Sequence, residues 1–320
     1  MRDLRKCSDA ACLRRGKWPG RSANTTQASS VATFTRRFVE KALVREIPAS
    51  LHTGDKWIMK TLVIVPTYNE MENLPLLLKE IFSNAPATEV LIVDDNSPDG
   101  TGGLADQMSS EDSRVHVLHR SGKLGLGTAY IAGFKYAIAQ GYDAAFEMDA
   151  DFSHDPRYLP DFLAKIEHAD LVIGSRYIPG GSTPNWSWGR RLISGFGNLF
   201  ARSLLFLPVH DCTAGFRCYR REVLESLGLD TIESQGYGFQ VELAYRVQKY
   251  GFKIVETPIV FMDRRVGKSK MSKAIVFEAF TFVLRARFKK LPPPTRPAPV
   301  LPTASFEERP YTEQAPAGRK

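Results

Sequence analysis

From residue 60 onward, the chain alternates two patterns of hydrophobic and polar positions. Short aliphatic runs rich in β-branched residues predict buried strands, and the segments between them repeat apolar side chains every three or four positions, as amphipathic helices do. This alternation is typical of an α/β domain in which helices cover a mostly parallel central sheet. The predicted strands are 61–65, 89–93, 115–119, 144–148 and 171–174.

Helices are predicted between and after these strands. The first opens near Asn69 and Glu70 and buries Leu74, Leu77, Leu78, Ile81 and Phe82. The others are predicted at 127–140, 191–207, 240–250 and 273–290, with one more strand at 253–261. Because open α/β sheets bind ligands at the carboxyl ends of their strands, we expect the functional residues there.

The positive charge of the chain is concentrated at its ends. The net charge is +8, of which residues 1–58 carry +7 and residues 285–320 carry +5, so that the remainder carries −4. The predicted catalytic body is therefore not basic, and nucleic-acid binding is not expected. The four cysteines lack the spacing of a zinc or redox motif.

Three regions are predicted along the chain. Residues 1–58 are read as a basic, disordered extension, with a transit peptide or a true start at Met59 as alternatives. Residues 59–290 are expected to form one domain, and the proline-rich residues 291–320 a disordered tail. No apolar run reaches the ~18 to 20 residues that would span a bilayer, so membrane contact is expected to be peripheral or through a partner.

Asp149 and Asp151 are the most informative pair of residues. Side chains two apart on a strand share a face, so both carboxylates converge where the fourth strand ends. Two such hard ligands suit a divalent cation, and Mg²⁺ bound in this way keeps positions open for phosphate oxygens. An Asp-x-Asp sequence also occurs in ordinary surface turns, so the pair alone leaves both interpretations open.

Three further segments follow predicted strands. Residues 66–70 offer Tyr68 as a flat face for a base and Glu70 as a hydrogen-bond acceptor, although a strand end with a helix cap is the simpler interpretation. Residues 94–101 combine adjacent aspartates with a turn. Residues 123–129 form a glycine-containing loop that either approaches a phosphate or sugar or simply begins a helix.

Taken in order, these segments resemble the inverting glycosyltransferases of the GT-A fold, and among them the dolichyl-phosphate or polyprenyl-phosphate mannose synthases. The resemblance covers roughly residues 61–285. It rests on the segments 65–70 (VPTYNE), 93–101 (VDDNSPDGT), 124–130 (LGLGTAY), 148–151 (MDAD), 174–177 (GSRY), 261–264 (FMDR) and 269–270 (SK).

The resemblance implies a role for each matching residue. Around the nucleoside of GDP-mannose it places Pro66, Tyr68, Glu70, Val93 and Asp95. Around Mg²⁺ or Mn²⁺ and the diphosphate it places Asp149, Ala150 and Asp151, with the two aspartates as metal ligands and catalytic residues. Arg176 and the catalytic residues Arg264 and Lys270 would face phosphate oxygens, where cations offset the charge that grows on a departing diphosphate.

Three positions depart from the family pattern. Asn96 stands where relatives often have glycine, which asparagine tolerates because it accepts left-handed backbone conformations. Ser153 replaces a glutamine found near the metal in some relatives. Glu147 replaces an apolar residue, and we expect it to be an exposed strand residue rather than a further neighbour of the metal.

The acceptor implied by the resemblance is a polyprenyl (dolichyl-type) monophosphate. Residues 211–217 resemble the acceptor-side loop, and an anionic lipid phosphate can attack without a general base. The phenylalanine-rich helix near 273–290, and Phe196 to Phe206, would either lie on a membrane or fill the core. We expect a cytoplasmic protein at the cytoplasmic face of a membrane, possibly with a membrane-anchoring subunit.

The function predicted is inverting, metal-dependent transfer of mannose from GDP-mannose to a polyprenyl phosphate. One alternative uses another donor, such as UDP-glucose, on the same lipid. A second alternative is a non-catalytic subunit that binds a sugar nucleotide. A dinucleotide-binding oxidoreductase is disfavoured, because the first strand is not followed by a GxGxxG sequence.

Overall fold

A computed structural model describes residues 59–232, 234, 236–262, 273–288 and 290–296. These residues contain a seven-stranded sheet. The first five predicted strands are present with ends shifted by at most two residues, and the sixth is shorter than predicted. The strands are β1 (Thr61–Thr67), β2 (Glu89–Asp94), β3 (Val115–His119), β4 (Ala144–Glu147), β5 (Leu171–Ser175), β6 (Arg217–Arg220) and β7 (Ile254–Pro258).

Helices cover both faces of the sheet. Three of them were not predicted: the helix Thr101–Glu111 has few apolar positions, and the helices Leu159–Ile166 and Arg221–Ser226 are short. The described helices are α1 (Leu74–Asn84), α2 (Thr101–Glu111), α3 (Leu126–Ala139), α4 (Leu159–Ile166), α5 (Trp188–Leu205), α6 (Arg221–Ser226), α7 (Gly236–Lys249) and α8 (Lys273–Phe288).

The start of α1 corrects one prediction. The helix expected to open near Asn69 and Glu70 begins at Leu74 instead, because Asn69 adopts φ +62° and the chain turns before it becomes helical. A positive φ is incompatible with a right-handed helix. The polar residues of this turn are thereby left at the strand end.

The strand order is β3-β2-β1-β4-β6-β5-β7. All neighbouring strands are parallel except for β6, which runs antiparallel to both β4 and β5. Strand β6 was not predicted, because its four residues include two arginines. The carboxyl ends of β1, β2, β4, β5 and β7 therefore meet at one edge of the sheet, which is the expected ligand side.

The sheet is buried on both faces, as its parallel strands require. Side chains of β1 alternate between two core clusters: Leu62 and Ile64 pack on the side of α3, and Val63 and Val65 pack on the side of α1. The period of two is that of an extended strand. It explains why these strands read as continuous apolar runs in the sequence.

The first residues of the predicted proline-rich tail contact the domain. The hydroxyl of Tyr250 donates to the Pro292 carbonyl at 2.9 Å, and the N–H of Thr295 donates to the Ser226 carbonyl at 3.3 Å. Proline lacks an N–H but keeps a carbonyl acceptor, so a proline-rich segment can still pair with donors of the domain. These contacts lie just beyond the domain boundary predicted at 290, and the extent of the tail stays a prediction.

Gly133 lets α3 approach β1 closely, which generates the first prediction. A Cβ at this position would lie 2.5 Å from Cγ2 of Ile64. We expect Gly133→Ala to lower the free energy of unfolding by about 1 to 3 kcal/mol through overpacking, measured by urea denaturation. The control is Gly197→Ala in α5, where nothing lies within 4 Å of an added Cβ. This substitution should raise the free energy of unfolding by ~0.5 to 1 kcal/mol. Equal effects of the two substitutions would contradict this account.

Candidate active site

Asp149 and Asp151 lie in the turn that follows β4, and their carboxylates are fixed by hydrogen bonds. The buried Tyr130 hydroxyl donates to Oδ1 of Asp149 at 2.8 Å. The N–H of Ser153 donates to Oδ1 of Asp151 at 3.0 Å. Phe152, which lies between Asp151 and Ser153, adopts φ +63°, a left-handed conformation that is unfavourable for a bulky residue. The chain thus holds a strained turn where the two carboxylates are presented.

His154 supports this turn and was not singled out from the sequence. Its Nδ1 accepts the N–H of Asp149 at 2.9 Å, so Nδ1 carries no proton. The ring is buried and stacked on Phe216 with centroids 5.2 Å apart. The available signal was a histidine three residues after an Asp-x-Asp pair, which by itself has no defined chemistry.

The predicted nucleoside side lies at the ends of β1 and β2. Tyr68 is partly exposed, and the Lys123 ammonium lies 4.0 Å from its ring centroid. The Glu70 carboxylate accepts from Nδ2 of Asn73 at 2.8 Å, and Pro66 is half-buried at the end of β1. Pro66, Tyr68 and Glu70 thus lie at or just after the end of β1, and their contacts with a nucleoside stay predictions.

Asp95 is a buried carboxylate beside the guanidinium of Arg120. It is buried, and its Oδ1 lies 3.2 Å from Nε of Arg120 yet makes no hydrogen bond within the described residues. Burial raises the pKa of Asp95, although the Arg120 charge acts in the opposite direction. The ion pair with Arg120 offsets part of the cost of burying this carboxylate. The prediction that Asp95 contacts the nucleoside stays a prediction.

Asp94, next to it, has a structural role. Its carboxylate accepts from the Thr67 hydroxyl at 3.0 Å, from the Ser97 N–H at 3.0 Å and from the Ser97 hydroxyl at 2.6 Å. These bonds tie the end of β1 to the turn after β2. Asn96 in that turn has φ +57°, a left-handed conformation that asparagine accepts.

Two predicted contacts have buried side chains. Val93 is fully buried in the core and Ala150 nearly so. Val93 pairs with Pro66 in the register of β1 and β2. Their side chains thus pack in the core, and the ligand contacts predicted for Val93 and Ala150 stay predictions.

Arg176 follows β5 and binds a carboxylate of the protein. Its Nε and Nη2 donate to the two oxygens of Asp211, each at 2.7 Å, and Nη2 also donates to Thr213 at 2.8 Å. Burial by itself raises the pKa of Asp211, but the Arg176 charge holds it below its usual value. The guanidinium also lies 5.3 Å from the Trp186 ring centroid. The prediction that Arg176 faces phosphate oxygens stays a prediction.

Glu147 corrects the prediction of an exposed strand residue. It is 0% exposed and lies opposite Arg217 in the register of β4 and β6. Its Oε2 accepts from Nε2 of Gln240 at 2.6 Å. Burial raises the pKa of Glu147 to about 7, although the Arg217 charge lowers it. The sequence could not reveal this, because the partner Arg217 belongs to a strand that was not predicted.

The donor set fits a divalent cation that binds together with a diphosphate. Within the part of the chain that the structure describes, no group of three or more His, Cys, Asp or Glu side chains is arranged to hold a metal. Two oriented carboxylates are what Mg²⁺ usually takes from a protein when phosphates supply further ligands. Arg264 and Lys270, the other predicted catalytic residues, lie outside the described residues.

Comparison with known sequences identifies the family. The profile of "Glycosyl transferase family 2" matches residues 62–228. The chain belongs to glycosyltransferase family 2. It is 52% identical over 227 residues to an undecaprenyl-phosphate mannosyltransferase of Micrococcus luteus, covering 71% of this chain and 93% of that protein. It is 50% identical over 222 residues to a polyprenol monophosphomannose synthase of Mycolicibacterium smegmatis, covering 69% of this chain and 84% of that protein.

Solved structures share the fold of this glycosyltransferase. Glucosyl-3-phosphoglycerate synthase from Mycobacterium tuberculosis, with Mn²⁺, UDP and phosphoglyceric acid, has a TM-score of 0.55 at 18% identity, covering 72% of this chain and 79% of its own. A mannosyltransferase from Pyrobaculum calidifontis, with GDP-Man and Mn²⁺, has a TM-score of 0.51 at 16% identity. The match covers 83% of this chain and 75% of that one.

The comparisons confirm three predictions. The GT-A fold class, the glycosyltransferase activity and the resemblance to polyprenyl-phosphate mannose synthases are all borne out. Among the described helices of this glycosyltransferase, none has the length and apolar character needed to cross a bilayer. The roles of the individual site residues stay predictions.

Tyr130 generates a prediction about metal binding. Because its hydroxyl orients Asp149, we expect Tyr130→Phe to weaken binding of Mn²⁺ about tenfold in the presence of GDP, measured by electron paramagnetic resonance. The matched control is Tyr136→Phe on the same helix, whose ring packs on Tyr142 instead. The same Mn²⁺ affinity in both variants would refute the role of Tyr130.

Glu147 generates a prediction about pH and stability. Folded Glu147 keeps its proton up to about pH 7, whereas the unfolded residue loses it near 4.5. The stability that protonated Glu147 gives the fold is thus complete below pH 4.5 and is lost as the pH rises through 7. As the pH rises across this window, we expect the free energy of unfolding of the wild type to fall by roughly 3 kcal/mol relative to that of Glu147→Gln. The measurement is urea denaturation in EDTA. Parallel stability curves for the two proteins would contradict this.

Proposed function

We propose that this glycosyltransferase transfers mannose from GDP-mannose to a polyprenyl monophosphate with inversion, in the presence of Mg²⁺ or Mn²⁺. The observation that carries the proposal is sequence identity to two enzymes named for polyprenyl-phosphate mannose synthesis. The identities are 52% and 50%, and the matches cover 93% and 84% of those enzymes. The match thus covers more than four fifths of each relative.

The donor site of this proposal lies at the ends of β1, β2 and β4. Tyr68 would stack on the base, and Glu70 and the buried acceptor of Asp95 would receive hydrogen bonds from the nucleoside. The backbones of Pro66, Val93 and Ala150 would form the walls. The support is geometric, because parallel strands deliver all these positions to one edge.

The diphosphate would lie beside Asp149 and Asp151. Mg²⁺ or Mn²⁺ bound by these carboxylates would stabilise the negative charge of the departing GDP. The protein's contribution is orientation: Tyr130 and Ser153 fix the carboxylates before any ligand arrives. Fixed groups need no reorganisation during the reaction, which is the main source of electrostatic catalysis.

The acceptor phosphate would approach from the side of Arg176 and the residues 211–213. Because a phosphate monoester is already anionic, its oxygen attacks the anomeric carbon without a general base. Arg264 and Lys270 would add positive charge near the phosphates. Asp211 would keep the Arg176 guanidinium in a fixed plane, with one carboxylate offsetting part of its charge.

A lipid acceptor places the reaction at a membrane. The prenyl chain stays in the bilayer while GDP-mannose is supplied from water, so the enzyme would act peripherally at the cytoplasmic face. It would reach that face directly or through a membrane-anchoring subunit.

The test is transfer of labelled mannose into the organic phase. Full-length protein would be incubated with labelled GDP-mannose, Mg²⁺ or Mn²⁺ and a panel of prenyl phosphates, with labelled UDP-glucose in a parallel arm. We expect Asp151→Ala and Asp151→Asn to reduce transfer at least about a hundredfold, because the cation loses a ligand. The control Asp161→Asn, on the exposed side of α4, should retain transfer.

Two outcomes would overturn the proposal. Undiminished transfer by a pure Asp151 variant would remove the metal from the mechanism. Turnover of UDP-glucose but not of GDP-mannose would assign a different donor to the same lipid.

A further inference from the structure

Glu256, a residue of β7, holds the loop that carries Asp211. Its Oε2 accepts the backbone N–H of His210 at 2.8 Å, and its Oε1 accepts the backbone N–H of Asp211 at 2.9 Å. Nδ1 of His210 lies 2.9 Å from the same Oε2 and donates to it, because an ionised carboxylate only accepts. The Glu256 side chain is 10% exposed, so these donors replace most of its contact with water. One carboxylate thus fixes two consecutive backbone groups of the loop.

Asp211 connects this loop to Arg176. Its fully buried carboxylate accepts the backbone N–H of Arg176 at 3.0 Å, and its two oxygens accept from Nε and Nη2 of the guanidinium at 2.7 Å each. Two parallel bonds of this kind define the plane of a guanidinium. The position of Asp211 therefore decides the direction in which the Arg176 side chain points.

The sheet provides the fixed frame for both ends of this connection. Strands β5 and β7 are parallel neighbours, with Ile173 opposite Glu256, and Arg176 directly follows β5. The loop between α5 and β6 is attached to this frame by side chains: Glu256 binds residues 210 and 211, and Asn198 binds the Cys212 N–H at 3.0 Å. The sheet thereby determines where a carboxylate of the loop lies.

We propose that Glu256 is a positioning residue for the acceptor phosphate. It fixes the backbone of Asp211, Asp211 fixes the guanidinium of Arg176, and Arg176 binds a phosphate oxygen of the acceptor. A guanidinium held in this way needs little reorganisation when the phosphate arrives. This inference rests on the proposed function and names a residue on which the acceptor half of that site depends.

A purely structural role of Glu256 is the alternative. A buried carboxylate that accepts backbone N–H groups stabilises a fold wherever it lies, and its loss lowers the free energy of unfolding. Asp170 is such a carboxylate in the same pair of strands. It is buried just before β5, and its Oδ2 accepts the N–H of Lys253, just before β7, at 2.7 Å. Because Asp170 lies at the opposite edge of the sheet from Arg176, it provides the matched control.

The test measures binding of farnesyl phosphate, a short prenyl monophosphate, by isothermal titration calorimetry with full-length protein, GDP and Mg²⁺. We expect Glu256→Gln to weaken this binding at least about tenfold, because an amide keeps one acceptor oxygen and turns an NH₂ group towards the other N–H. Asp170→Asn should bind farnesyl phosphate within about twofold of the wild type, because sites at opposite edges act independently. Both variants should bind GDP as the wild type does.

A double-mutant cycle separates positioning from stability. Arg176→Lys keeps the positive charge, so binding stays measurable, but lysine cannot form the two parallel bonds to Asp211. If Glu256 acts through Arg176, adding Glu256→Gln to Arg176→Lys should change the affinity for farnesyl phosphate by at most about twofold. If Glu256→Gln does not fold, the cycle uses Glu256→Asp, whose carboxylate is one methylene further from the loop.

Three results would overturn the proposal. They are an unchanged affinity of the Glu256 variant for farnesyl phosphate, a further loss of about tenfold when its substitution is added to Arg176→Lys, and a wild type that does not bind farnesyl phosphate. Equal weakening by Glu256→Gln and Asp170→Asn would also contradict it, because the effect would then follow stability alone.

Transfer of labelled mannose distinguishes failure of this inference from failure of the proposed function. We expect Glu256→Gln to raise the KM for prenyl phosphate at least about tenfold and to leave the KM for GDP-mannose within about twofold. Transfer with an unchanged KM for prenyl phosphate would remove the role of Glu256 and leave the function in place. Binding of farnesyl phosphate in the expected pattern, without transfer from GDP-mannose, would remove the function and leave the role of Glu256 in place.

Discussion

The buried guanidinium of Arg217 joins the parts of the site, and much of the architecture depends on it. It donates to the carbonyls of Cys212, Ala214 and Gln240 at 2.8 to 2.9 Å and lies opposite Glu147 in the sheet. A buried charge without partners would cost several kcal/mol, so these partners have to stay in place. Arg217 thereby connects β4, which leads to the aspartates, with the segment that holds Arg176 and with α7.

The two sides of the site are stabilised by different means. On the donor side, Asp149 and Asp151 sit in a turn where Phe152 has a left-handed backbone, and hydrogen bonds from Tyr130 and Ser153 fix their carboxylates. The strain is compensated by the core around it. On the acceptor side, the ion pair of Arg176 and Asp211 is buried among aromatic rings. The donor carboxylates are thus oriented to receive a cation, whereas Arg176 is already paired.

Helix α5 connects this chemistry to the outside of the domain. Its inward residues include Asn198, which hydrogen-bonds Cys212 and Thr213, and Ala201 and Leu205, which are buried in the core. Its outward residues include Phe196 and Leu199, which are exposed. The helix therefore joins the loop that holds Arg176 to the core and leaves large apolar side chains at the surface.

The sequence by itself determined the strands β1 to β5, the helices with clear periodicity, the family and the placement of Tyr68, Asp95 and Asp149 after the ends of β1, β2 and β4. These follow from local periodicity and from the rule that parallel strands end at one edge. Only the tertiary structure decided the environment of Glu147, the pairing of Arg176 with Asp211 and the structural role of Asp94. Each depends on a partner distant in the chain or on the antiparallel strand β6, whose four residues have too little periodicity to be recognised. It also decided which apolar residues of α5 are buried, such as Leu205, and which are exposed, such as Phe196 and Leu199, because periodicity defines a stripe but not the direction in which it points.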